Sequence, residues 1–245
     1  MSFFNYIIDA IVYALKIFTT ALLPWIIVAM IMQKISNNFR RSLTNLLGDN
    51  GFIYLTAPGV AIHELSHAFF CLVFRHKINE MKLFSPEEDG TLGYVNHSYD
   101  SSNIYQRIGN FFIGIGPIIG GLFILTLISK WLLPIKETNM RDILSIILSP
   151  HFWTTWQAWV WLYLAFTIVS HITLSLSDIE GAFDGFLAIV VVILLGCLIL
   201  GWSGQWEEEI TQAALNYFTA TLPLLIMIIV ISGIISFILK IFSGR

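Results

Sequence analysis

Five residues in this chain have the type and spacing to do chemistry together. His63-Glu64-Leu65-Ser66-His67 sets two imidazoles four positions apart. On a helix that spacing puts both on one face, where they can bind one Zn²⁺. Glu64 follows the first of them and stands where a general base for hydrolysis would act. A catalytic zinc takes three protein ligands and keeps a fourth position open, so another element must supply a donor. The segment HITLSLSDIEGAFDG over 171–185 offers candidates. His171, Ser175 and Asp178 recur at i, i+4 and i+7, which is one face of a helix. Asp178 is the expected third ligand, with Asp184 and His171 as alternatives. With Asp178 on the metal, His171 would stand nearby as a partner for charge developing during reaction. Gly181 and Gly185 would let the chain bend there.

These residues are exceptions in an apolar background. Of 245 residues, 56% are hydrophobic and only 12% charged, with a net charge of −3 and a mean hydropathy of +0.77. Soluble domains carry about 25% charge. The balance excludes a disordered chain and a basic nucleic-acid binder, so no nucleic-acid partner is expected. Apolar runs of about 20 residues need a bilayer as their solvent, and ionisable groups inside such runs are costly enough to mark function. Cys71 and Cys197 fall in apolar runs without paired spacing, which leaves no disulfide framework.

The elements that must position the site follow from six apolar stretches, roughly 4–33, 52–74, 110–130, 152–176, 182–201 and 213–239. They predict an all-α polytopic membrane protein of about six transmembrane helices, forming a single domain over 1–245. Asp9 and Lys16 in the first stretch predict that its leading half lies along the interface and dives near Ile17. That segment lacks a basic n-region and reads as a retained helix. Residues 34–51 form a polar connection with Lys34, Arg40 and Arg41. Between the second and third stretches, a small β-hairpin is expected over about 80–97. Its strands would be Met81–Phe84 and Thr91–Val95, joined by a turn over Glu87–Gly90. Gly109, Gly114, Gly116, Gly120 and Gly121 predict close helix packing. Trp153, Trp156, Trp159 and Trp161 beside His151 read as an interfacial belt. His76, between Arg75 and Lys77, would anchor in the headgroup layer, and His97 reads as a surface histidine. Lysine and arginine divide evenly between the two sets of loops and leave orientation open.

In order, these motifs resemble the site-2 protease (M50) class of intramembrane zinc metalloproteases. His63–His67 in a membrane helix precedes a strand-forming loop with Leu92-Gly93-Tyr94-Val95. Gly116-Pro117 then opens a helix, and Asp178 stands in a later one. The resemblance covers about 55–190. The chain departs from the family at Ile118-Ile119-Gly120, where an Asn usually follows Gly-Pro. It departs again at Ser177-Asp178-Ile179-Glu180-Gly181, where Leu-Asp-Gly follows Asn and Pro; the literal Asp-Gly here is Asp184-Gly185. It has no PDZ-like insertion.

The resemblance implies a zinc-dependent endopeptidase, a compact member of its class, that hydrolyses a peptide bond of a membrane protein or peptide. Zinc would sit on His63, His67 and Asp178, with Glu64 and His171 catalytic. Leu92, Gly93, Tyr94 and Val95 would hold unwound substrate as an added strand. The family's orientation implies a bacterial plasma membrane with the site toward the cytoplasm. Two other readings compete: a catalytically inactive scaffold or chaperone of the same fold, which has no need of the His63, Glu64 and His67 triplet, and a metal transporter. The transporter predicts ligands spread over several helices.

Overall fold

Short breaks between apolar helices organise this fold. The computed structural model describes residues 3–134, 145–146, 148–200, 208–209, 211–213, 215–216 and 219. Helix α1 (Phe3–Ile17) continues through a π-helical stretch, Phe18–Leu22, into α2 (Leu23–Leu55), and α3 spans Ala57–Val73. The strands β1 (Lys77–Lys82) and β2 (Tyr94–Ser98) come next. Helices α4 (Ile104–Gly114), α5 (Gly116–Leu132), α6 (Trp156–His171) and α7 (Leu176–Leu200) complete the order.

The breaks redraw the expected stretches. The polar residues 34–51 are helical, as the second half of α2, and Gly48 kinks them at φ 74°, an angle that suits glycine alone. The second stretch divides at Thr56, whose hydroxyl and N–H both return to the Phe52 carbonyl before Pro58 opens α3. The third becomes α4 and α5, bent by 60° across Ile115. The fourth ends at His171, not 176, and the fifth starts at Leu176, not 182. The sixth, 213–239, lies almost wholly outside the described residues.

Among the described residues, one helix is by itself long and apolar enough to cross a membrane, Leu176–Ile199, and α4 with α5 qualifies as a bent pair. Helix α3 packs against α4, α5 and α6. A Cβ at Gly59 would fall 1.9 Å from the Thr167 carbonyl oxygen, and one at Gly120 would fall 2.1 Å from Ser66 Oγ, so both helix crossings require glycine. Leu125, Trp161, Ile168 and Ile172 form the centre of the core. Trp161 therefore leaves the expected belt: it is wholly buried and donates to Ser129 Oγ at 2.8 Å, while Trp153, Trp156 and Trp159 are exposed.

The strands pair antiparallel, Lys77 opposite Ser98 through Lys82 opposite Tyr94, with a bulge between Ile78 and Glu80. Beyond Lys82 the pairing loosens: Ser85 donates to the Leu92 carbonyl and Glu87 to that of Thr91. Gly90 closes the expected turn at φ 91°. The hairpin thus starts earlier than expected, and its second strand is shifted from Thr91–Val95 to Tyr94–Ser98. Leu92 and Gly93 precede that strand. Strand β1 is polar and almost wholly exposed, so it lacks the apolar alternation by which a strand is read.

Candidate metal centre

The side chains that could hold a metal ion come from two helices, and helix ends orient all of them. His63 and His67 share one face of α3, and their Nε2 atoms lie 3.1 Å apart. His67 Nε2 is 3.3 Å from Asp178 Oδ1, and His63 Nε2 is 3.8 Å from Asp178 Oδ2. A donor atom from each of the three falls within 4.8 Å of the others.

The hydrogen bonds fix what these atoms can do. His63 Nδ1 donates to the His171 carbonyl at 2.8 Å, and His67 Nδ1 donates to the Ile113 carbonyl at 2.7 Å. A carbonyl only accepts, so each Nδ1 carries a proton, and in the metal-binding form of each ring Nε2 would be a bare lone pair turned inward. In that form two lone pairs and a carboxylate converge with no donor among them, an arrangement that a cation would complete. Zinc–nitrogen bonds of about 2.0–2.1 Å in a tetrahedron place neighbouring ligand atoms about 3.3 Å apart, close to the spacings found. The residues present fit the ion.

Both anchoring carbonyls are products of the helix breaks. The regular partner of the Ile113 carbonyl would be the N–H of residue 117, which is a proline and has none. The His171 carbonyl ends α6, and its regular partner, the Ser175 N–H, is turned instead to Asp178 Oδ2 at 2.7 Å. Ser175 Oγ in return accepts the Asp178 N–H at 3.1 Å, so the two residues form a capping box that starts α7. The expected continuous helix face through His171, Ser175 and Asp178 is therefore broken over 172–175. Nor do Gly181 and Gly185 bend the chain. Both lie within α7, and a Cβ at Gly185 would meet the Phe111 amide nitrogen at 2.1 Å.

Neither alternative third ligand joins the group. The Asp184 carboxylate accepts from Arg107 Nη2 and Asn110 Nδ2, both at 3.1 Å, and from the Tyr99 hydroxyl at 3.2 Å. The His171 imidazole lies on Thr56, Nε2 to Oγ1 at 2.8 Å. That hydroxyl spends its proton on Phe52, so the imidazole is the donor. His171 reaches the metal group through its main-chain carbonyl.

A cavity of about 590 Å³ opens onto the group. Glu64, buried to 6% exposure, lines it beside His63, His67 and Asp178. Leu92, Gly93, Tyr94 and Val95 form the facing wall. A Cβ at Gly93 would sit 2.9 Å from Glu64 Cγ, so this loop passes directly over the carboxylate.

Thr56, Asn110 and Ile113 belong to the site and went unread in the sequence, as did the capping role of Ser175. Two local signals point to them: Pro117 four residues after Ile113, and Ser175 three before Asp178. His76 also departs from expectation. It is buried at 4% exposure and bonded to His97 and to the Gln106 carbonyl, packed against the protein rather than projecting from it. No protein-family model, curated protein or solved structure matches the chain.

Proposed function

We propose that this protein is a zinc-dependent endopeptidase that works in a membrane and hydrolyses a peptide bond of a membrane protein or peptide. The observation that carries the reading is the meeting of the bare Nε2 atoms of His63 and His67 with the Asp178 carboxylate, beside the buried Glu64 in one cavity. His63, His67 and Asp178 would hold the zinc ion, which would supply a Lewis acid for the scissile carbonyl and acidify water. Glu64 takes the proton of the attacking water and delivers it to the leaving amine. His63 and His67 stay neutral on their carbonyl anchors, and Asp178 supplies the single negative charge of the ligand set. His171 acts as a positioning residue, through the carbonyl that orients His63.

Leu92–Val95 face the group across the cavity and are suited to hold an unwound segment as an added strand. Unwinding is required because a membrane helix hides its peptide bonds in its own hydrogen bonds. The polytopic arrangement is part of this proposal. Exposed apolar side chains such as Trp131 at 82% and Ile199 at 74% support contact with lipid, as does α7 with the bent α4–α5 pair. We place the protein in a bacterial plasma membrane with the site on the cytoplasmic side, following the resemblance noted above.

Detergent-purified protein should bind one zinc per chain and cut an unfolded or transmembrane peptide. Glu64→Gln should keep the zinc and lower the rate by about 10²–10⁴. Cleavage that survives Glu64→Gln rejects the protease, and zinc flux into vesicles that survives it favours transport.

A further inference from the structure

A second pair of histidines reaches the cavity through one member, His97, and its hydrogen bonds settle which nitrogen carries each proton. His76 Nε2 lies 2.8 Å from the Gln106 carbonyl, which only accepts, so that nitrogen bears the hydrogen. Burial holds His76 below the ordinary imidazole range, which keeps the ring neutral and its Nδ1 bare. His97 Nδ1, 3.0 Å away, must then be the donor of the His76–His97 bond, and the remaining nitrogen of His97, Nε2, is a bare acceptor on the ring edge away from His76. Burial, with His76 and His67 nearby, pushes His97 down to about 4, so it is neutral at pH 7. His97 lines the same cavity as Glu64 and His67, and it lies on β2, three residues beyond Tyr94.

The backbone explains why His76 can hold this position. At the end of α3, Arg75 takes φ 59°, the His76 N–H returns to the Cys71 carbonyl and the Arg75 N–H to that of Leu72. This is a Schellman turn, and it delivers His76 beneath the hairpin, where its ring stacks on Tyr99.

We propose that His97 is a substrate-binding residue of the cavity, accepting a main-chain N–H of the bound peptide on Nε2, and that His76 is the positioning residue that fixes its tautomer. The assignment rests on the endopeptidase reading above. An unwound membrane segment brings into the cavity main-chain N–H groups that have lost their helical acceptors, and an acceptor-only imidazole on the strand beside the path meets that need.

Two conservative variants separate this role from a structural one. Asparagine reproduces the Nδ1 position of histidine and glutamine the Nε2 position. His97→Asn keeps a donor for His76 and removes the acceptor from the cavity; His97→Gln does the reverse. Cleavage of casein, whose chain is unfolded, and of a synthetic poly-leucine transmembrane peptide is measured alongside zinc content and unfolding temperature. We expect His97→Asn to lower kcat/KM about tenfold, the value of one hydrogen bond, with zinc content and unfolding temperature held. His97→Gln should recover most of that loss despite a lower unfolding temperature. The opposite ranking, with His97→Asn active and His97→Gln inactive, makes the pair structural and overturns the proposal.

If zinc-loaded wild type cuts neither probe, the endopeptidase reading fails, and nitrogen chemical shifts of labelled histidine then decide the His97 assignment. A neutral ring protonated at Nδ1, with a bare Nε2 that shifts when peptide is added, retains it as a peptide-binding group. A proton on Nε2 overturns it.

Discussion

Ser175 and Asp178 hold each other: Asp178 Oδ2 accepts the Ser175 N–H, and Ser175 Oγ accepts the Asp178 N–H. One carboxylate thus starts α7 and faces the two imidazoles, so the start of the helix and the proposed third ligand are set by the same contacts. Ser175→Ala should cost about 1 kcal/mol as the loss of an N-cap and weaken zinc binding about tenfold as the loss of a ligand's support. Chelator competition measures the second effect, and an unchanged affinity would separate the cap from the metal.

The two aspartates near the site should behave differently. Asp178→Asn removes the charge that faces both Nε2 atoms, and zinc content should fall well below one per chain. Asp184→Asn breaks the contacts to Arg107, Asn110 and Tyr99 and should lower stability while zinc content stays at one. Metal analysis of the two purified variants decides between them, and a loss of zinc in Asp184→Asn alone would reverse the assignment.

Gly185→Ala tests the packing of α7 on α4. The added methyl would overlap the Phe111 amide nitrogen and the Arg107 carbonyl, backbone atoms that cannot rotate aside. Overpacking of this kind costs about 1–3 kcal/mol. The unfolding temperature should drop while the metal ligands are untouched; an unchanged unfolding temperature would show that these two helices do not approach so closely.

His97 makes a contribution to stability with a definite sign. Its pKa is about 4 in the folded protein, against an ordinary 6.5, so between those values the unfolded chain binds more protons. Stability from this group is therefore complete above about pH 6.5 and is lost as pH falls toward 4. In metal-free protein, wild type should lose more stability than His97→Gln over that interval. Parallel unfolding curves at pH 7 and 4.5 would reject this.

What the sequence discloses and what it hides divide on physical lines. His63, Glu64 and His67 are readable because their geometry is local: any helix delivers the spacing. Asp178 is readable as one of three candidate donors, because Asp184 and His171 stand in the same segment. The break at 172–175 is not, since Ser175 and Asp178 at three-residue spacing fit a helix face as well as a helix cap. Strand β1 escapes because it is polar and exposed, and His76 reads as a surface residue among Arg75 and Lys77 until the turn at Arg75 folds it inward. The bend at Ile115 hides inside a run that hydropathy alone reads as one span. In each case a side chain or an unusual backbone angle redirects the chain, and hydrophobic periodicity does not record it.

On the membrane reading proposed above, the bend at Ile115 has a consequence for the polar groups around it. A helix interrupted within a bilayer strands carbonyl oxygens where no water can reach them, a cost of several kcal/mol for each one left unsatisfied. A histidine committed to a metal has the complementary debt, an N–H that must be given away. Were His67 to hold zinc as proposed, its contact with the Ile113 carbonyl would meet both needs at once. Pro117→Ala would restore an N–H opposite Ile113 and let the helix reclaim its carbonyl. His67 would then be free to reverse its tautomer and present a proton where a lone pair is required, and zinc would be lost through a residue that never touches it.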